Sequence, residues 1–280
     1  MQTDSDKLKK DVAELATMPT LPSVVMTVAR MAEDAETTAN DMADVIATDQ
    51  VLSARVLRLV NSPMYGFPGR ISTVRHAVVL LGFQVVKGLV LGASVFEKFD
   101  RLGNVLWSHS LGTALFSRHL AEHAGLDEPE EYLIAGLLHD LGKLVLSHLR
   151  PREFDTVLER AREQRRHIGE VEREVFQVDH ARVGYWLADE WRFPKRLLEP
   201  IAYHHRPDLA KEYLTGVAVV HLSDILARTM GHGYPGDPAM PRLDHDAYKS
   251  VGLTPDSLIP IMRDVDTAYA ISRDVLSPEG

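Results

Sequence analysis

The chain has 280 residues, no cysteine, 45% hydrophobic and 25% charged residues, and a formal net charge of -9. That excludes disulfides, thiolate zinc sites and a cysteine nucleophile, and it argues against a broad nucleic-acid surface. Residues 1–11 are polar and lack the apolar core of a signal peptide. No uninterrupted apolar run approaches the roughly 18 residues of a membrane span, so a cytoplasmic location without membrane contact is expected.

Residues 1–17 read as a charged entry helix. Pro19, Pro22 and Ser23 punctuate, with Ser23 placed to cap a helix over 24–32. Asn40 is placed to cap a short helix carrying Met42, Val45 and Ile46. Asp49 begins another, with Leu52, Val56, Leu59 and Val60 at helical spacing. Asn61-Ser62-Pro63 ends it, and Gly66-Phe67-Pro68-Gly69 reads as a loop. Thr73 caps a helix over 74–81, Gly82 breaks it, and 84–96 follows as an apolar helix. Short helices between 40 and 60 suggest DNA binding, but Arg55 and Arg58 supply too little charge for phosphate contacts, and the apolar positions read as packing.

Residues 100–104, with Gly103, read as a junction; twelve of the thirteen histidines lie beyond it. A helix over 105–124 carries Leu106, His109, Thr113, Phe116 and Leu120 on one face, and Gly125 ends it. A helix over 131–146 contains the adjacent pair His139-Asp140, and 155–166 reads as a solvated charged face. Asp179 caps a helix with His180, Gly184 and Leu187. Pro194 opens another in which Leu197, Ile201 and His204 or His205 share a face, and Pro207 ends it. Residues 217–228 are almost wholly apolar apart from His221, Ser223 and Asp224, residues 230–246 read as a long loop, and 255–274 as a closing helix. No stretch alternates as a strand does, so the expected fold class is all-α.

A carboxylate beside an imidazole in an apolar segment is costly unless each has a partner, a counter-charge or a metal ion. That applies to His139-Asp140, and to Asp224 among Val217, Val220, Leu222, Ile225 and Leu226. The bland alternative is a hydrogen-bonded polar core.

Leu21-Pro22, the run from Ile46-Ala47-Thr48-Asp49 to Val60-Asn61-Ser62, Tyr65-Gly66, and Ile71-Ser72-Thr73 through Leu81-Gly82 together resemble the HDOD family. This is a branch of the HD metal-dependent phosphohydrolase superfamily. The resemblance covers about 15–230. It implies an HD-domain-like helical bundle, with an N-terminal helical subdomain over 1–103 and an HD-like subdomain over 104–280. It also implies a bacterial signal-transduction context.

An HD-type metal site takes a His, an adjacent His-Asp and a later Asp. This chain offers His109, His139, Asp140 and Asp224 in that order. The segment from Asp179-His180 to Tyr203-His204-His205 is similar to HD-GYP relatives, where later histidines add ligands for a second ion. Adjacent His204 and His205 on a helix point about 100° apart, so one is expected to ligate and the other to contact substrate. The resemblance also implies catalytic roles for Asp140 and Lys143, the lysine facing a phosphoryl group; the alternative is a surface lysine at a helix end. One or two divalent transition ions (Fe, Mn, Zn or Ni) are expected, since a histidine-rich set disfavours magnesium.

Departures limit the analogy. His205 is followed by Arg206-Pro207 rather than by Glu and then Gly-Tyr-Pro. A Gly233-Tyr234-Pro235 triplet occurs only after the Asp224 helix and reads as coincidence in a loop. The glutamate ligand that HD-GYP proteins carry upstream has no counterpart, which weakens the case for cyclic-di-GMP hydrolysis. His119 and His123 read as exposed, and His148, His167, His232 and His245 have no partner pattern. Phosphate-binding glycine loops and serine elbows are absent. Two functions are therefore expected in competition. One is a metal-dependent phosphohydrolase or phosphodiesterase acting on a phosphate-containing small molecule or nucleotide. The other is a non-catalytic regulatory or scaffold module acting through signalling protein partners.

Overall fold

The computed structural model describes residues 4–17, 23–32, 34, 36–62, 65, 67, 69–98 and 100–276. Among them are sixteen α-helices and no strand. The first six are α1 (Asp4–Thr17), α2 (Ser23–Met31), α3 (Ala39–Ala47), α4 (Gln50–Val60), α5 (Val74–Leu81) and α6 (Phe83–Lys98). Then come α7 (Asp100–His123), α8 (Pro129–Leu138), α9 (Leu141–Leu149), α10 (Pro151–Gln164) and α11 (Ile168–Phe176). The last five are α12 (His180–Glu190), α13 (Lys195–Tyr203), α14 (Leu214–Thr229), α15 (His245–Val251) and α16 (Pro255–Leu276). The all-α expectation holds. Pro19, Leu21, Pro22, Pro63, Gly66 and Pro68 lie outside the described residues.

Side-chain caps set many of the boundaries. Asp49 accepts from the Leu52 amide and starts α4, and Thr73 accepts from the His76 amide and starts α5. The cap of α3 is Thr38, not Asn40, which lies within the first turn. Thr38 and Asp41 form a reciprocal capping box, which satisfies two amide donors where Asn40 would satisfy one. Ser23 is the first helical residue of α2 rather than its cap. The expected junction at 100–104 lies inside the first turn of α7. Two helices have no forerunner in the sequence reading: α11, and α15, whose cap Asp244 cuts short the loop expected over 230–246.

The helix α7 is central, packing against α6, α8, α14 and α16. It is buried all round between Leu106 and Ser117 except at Ser108, as a helix enclosed by others must be. One continuous apolar core joins α1–α6 to the later helices, through residues such as Val56, Leu89, Leu111, Ile134 and Val183.

The helix expected over 131–146 is two helices, with His139 and Asp140 in the turn between them. The His139 ring is the reason: its Nδ1 donates to the Gly136 carbonyl at 2.7 Å, the acceptor that the next amide in a continuing helix would use. His204 ends α13 by the same device, with Nδ1 donating to the Ile201 carbonyl at 2.9 Å. Directly after the first turn, α9 lies against α12 so closely that a Cβ on Gly142 would run into the His180 carbonyl oxygen.

Candidate metal centre

All seven residues expected to bind metal converge beneath α7. They form two adjoining groups, Asp140 with His180, His204 and His205, and His109 with His139 and Asp224. Within each group the donor atoms lie within 4.8 Å of one another. His109 and Asp224 come from the middles of α7 and α14. The other five come from helix ends, where successive residues escape the helical angle. His204 and His205 therefore both lie in the group of Asp140 and His180, because the turn after Tyr203 frees them from the angular separation of a helix.

Asp140 stands between the groups. Its Oδ2 is 3.3 Å from His139 Nε2 and 3.8 Å from His109 Nε2. Its Oδ1 is 3.2 Å from His180 Nε2 and 3.9 Å from His204 Nε2. Asp224 Oδ1 is 3.1 Å from His109 Nε2, and His205 Nδ1 is 3.8 Å from Asp224 Oδ2. Each of these residues is at most 2% exposed except His205, at 10%.

The imidazoles are arranged as ligands. His139, His180 and His204 each spend Nδ1–H on a protein acceptor, which leaves Nε2 directed inward, the ligand orientation. His139 Nε2, His204 Nε2 and Asp224 Oδ2 are buried without a hydrogen-bond partner. His180 Nε2 and His205 Nε2 face each other at 3.0 Å, which is repulsive for two lone pairs unless a proton or cation lies between them. Buried polar atoms are normally satisfied, so these donors fit divalent transition ions.

Charge supports the same fit. Burial, reinforced by neighbouring imidazoles, holds His204 and His205 well below the ordinary histidine range, so both are neutral. Burial also lowers His109 against the pull of Asp224. Burial alone would raise Asp140, but His139 and Lys143 outweigh it and hold the carboxyl well below its usual range. Arg228 and His109 do the same for Asp224. His180 differs: burial is outweighed by the Glu172 carboxylate, its pKa rises to about 9, and the ring holds a proton that a ligated ion would have to displace.

Lys143 is buried, not a surface residue. Its Nζ donates to Asp140 Oδ2 at 2.7 Å and to the Pro235 carbonyl at 2.9 Å. The Gly233-Tyr234-Pro235 triplet is thus part of the centre's wall rather than an unrelated loop. Gly233, at φ +71°, lies so close to the His109 backbone that a Cβ would collide with it.

Four supporting residues escaped the sequence reading. Glu172 is fully buried, and its Oε2 accepts from the His180 amide at 2.8 Å and from His180 Nδ1 at 2.6 Å. The signal was available: with Ile168, Val171 and Phe176, Glu172 lies on the apolar face of α11. Arg228, one turn after Asp224, donates through Nε to Asp224 Oδ1 at 2.8 Å and lies 3.4 Å from Asp237. His221 donates to the His204 carbonyl at 2.7 Å and accepts from the Asp244 amide at 3.1 Å, which ties the histidine turn to the start of α15. The His167 ring lies edge-on to His205, with centroids 4.4 Å apart, and burial lowers it to about 4. By contrast, His119 and His123 bond separately to the Leu115 and Gly252 carbonyls and form no pair.

Residues 18–207 match the HDOD domain family. An HDOD domain protein of unknown function from Geobacter sulfurreducens has a similar structure, at 27% identity and a TM-score of 0.74, covering 96% of this chain and 97% of that one. A Shewanella amazonensis protein named provisionally as a phosphohydrolase shares the fold at 23% identity and a TM-score of 0.71, again over 96% and 97%. An uncharacterized protein of Treponema pallidum is 28% identical over 235 residues, 81% of this chain and 46% of that protein. The chain therefore spans about half the length of that curated relative. No described helix is long and apolar enough to cross a membrane. With the family matched over more than half its length, and with that family's helical structure, this chain belongs to the HDOD domain family.

Proposed function

We propose that this chain is a metal-dependent phosphohydrolase of the phosphodiesterase type, serving bacterial signal transduction in the cytoplasm. The observation that carries this reading is Asp140, a buried carboxylate with one oxygen toward each of two groups of bare imidazole nitrogens. His109, His139 and Asp224 would hold one ion, His180, His204 and His205 the other, with Asp140 shared. Divalent ions held there would supply Lewis acidity toward a phosphoryl group and a water of lowered pKa. The chain's own residues fix the arrangement. Glu172 orients the His180 ring, and the Gly136 and Ile201 carbonyls orient His139 and His204. Lys143 holds Asp140 and offsets its charge beside the phosphoryl position. The division into subsystems at 103/104 accompanies this reading, with the ion chemistry assigned to the second.

A non-catalytic regulatory role is the second reading, favoured by enclosure: His205 is 10% exposed and the other six are at most 2% exposed. A centre so closed would serve a structural ion and a protein partner. Elemental analysis of untagged protein, beside turnover on generic phosphodiesters, nucleotides and cyclic dinucleotides, separates the two. The phosphohydrolase reading expects metal and turnover, both lost in His139→Ala and Asp140→Ala. Bound metal with no turnover on any of these substrates would leave the regulatory reading in place.

A further inference from the structure

The two groups differ in donors and in surroundings. The group around His180 gathers four donor residues, three of them histidines. Behind it lies Glu172, a fully buried carboxylate bonded to His180 Nδ1 at 2.6 Å. An anion in that position raises the basicity of the ring and favours an incoming dication. The group around His109 gathers three. On that side each carboxylate already carries a cation: Lys143 Nζ lies 2.7 Å from Asp140 Oδ2, and Arg228 Nε lies 2.8 Å from Asp224 Oδ1. Asp237, 3.4 Å from Arg228 Nη1, takes up only part of that charge. Arg228 Nη2 is buried without a hydrogen-bond partner.

We propose that the ions bind in sequence: the His180 group holds its ion unaided, and the His109 group takes its ion jointly with a phosphate-type anion. With Asp140 shared, the donor counts are alike, and what sets this side apart is the Lys143 and Arg228 charges, which the anion answers. This inverts the order implied by the resemblance, in which the set built on His109 and Asp224 is primary. It rests on reading the centre as a two-ion phosphohydrolase site. It also makes metal loading a report on the presence of ligand.

The test is titration of the chelator-stripped full chain with Mn²⁺, counting free ion by its paramagnetic resonance, with and without inorganic phosphate. One tight step is expected alone, with a second at least about tenfold weaker that phosphate tightens by about tenfold. By linkage, Mn²⁺ then tightens phosphate by the same factor. His109→Ala keeps the tight step, and His180→Ala removes it. Glu172→Gln, which preserves volume, weakens that step by about 10–100-fold. Circular dichroism checks that the variants are folded, and the wild-type titration decides the matter even if they are not. Two equal steps, a second step indifferent to phosphate, or loss of the tight step in His109→Ala overturns the ordering while leaving the two-ion centre intact. Absence of any bound ion under all conditions overturns the ordering and the phosphohydrolase reading together.

Discussion

The helices α1–α6 and the helices α7–α14 bury different things. In the first set the interior is Val12, Val28, Met42, Ile46 and Val56, with Ser62, Lys87 and Ser94 as the buried polar residues among those described. Lys87 donates to the Arg192 carbonyl at 3.2 Å and lies 5.0 Å from the Phe193 ring centre. In the second set the same apolar core surrounds His109, His139, Asp140, Lys143, Glu172, His180, His204 and Asp224. The first set is stabilised by removing apolar surface from water. The second spends burial on charges that need partners, which a fold does only where chemistry or an ion repays it. The two sets should therefore fail differently.

The largest separation is expected from Asp140→Ala. It faces both groups, so both ions should be lost and turnover should fall by about 10²–10³-fold or more, read by elemental analysis and phosphodiester assay. The chain should stay folded by circular dichroism, because the apolar core that joins the two sets is untouched. Met42→Ala, fully buried in the first set, tests the converse. It should cost about 2–5 kcal/mol in denaturant unfolding and leave the metal content of the folded fraction unchanged. A chelator probes the second set alone: an ion present at 100 times its dissociation constant adds about 2.7 kcal/mol, so removing it should lower the melting temperature of the wild type and leave that of Asp140→Ala where it was. Thr38→Ala removes the capping box of α3 and should cost about 1 kcal/mol with metal and turnover untouched. The smallest effect belongs to His123→Ala, exposed and bonded to the Gly252 carbonyl at 3.3 Å. Stability should move within about 0.5 kcal/mol, and any loss of metal there would undo the assignment of the centre.

Legibility followed how local each cause was. Asp49 and Thr73 announce their helices because a cap and its amides lie three residues apart. Asp224 stood out because a carboxylate in an apolar helix has few reasons to be there. The same argument would have found Glu172, had α11 been recognised between the charged α10 and the Asp179 cap. The break at His139-Asp140 was not legible, because it depends on a ring turning back to its own helix carbonyl rather than on a residue that breaks helices. The same cause hid the shared orientation of His204 and His205. Lys143 and the Gly233-Tyr234-Pro235 segment are 92 residues apart in their contact, a distance that no local pattern spans.

The contact at Gly142 sets more than a helix packing distance. Because the backbone of α9 rests on the backbone of α12 there, the gap between Asp140 and His180 is fixed by peptide groups and not by side chains that can turn aside. It acts as a gauge. Repacking the apolar surroundings leaves its width alone, whereas a single methyl at Gly142 would widen it with every ligand still in place. The separation of Asp140 from His180 is therefore written in a residue that has no side chain.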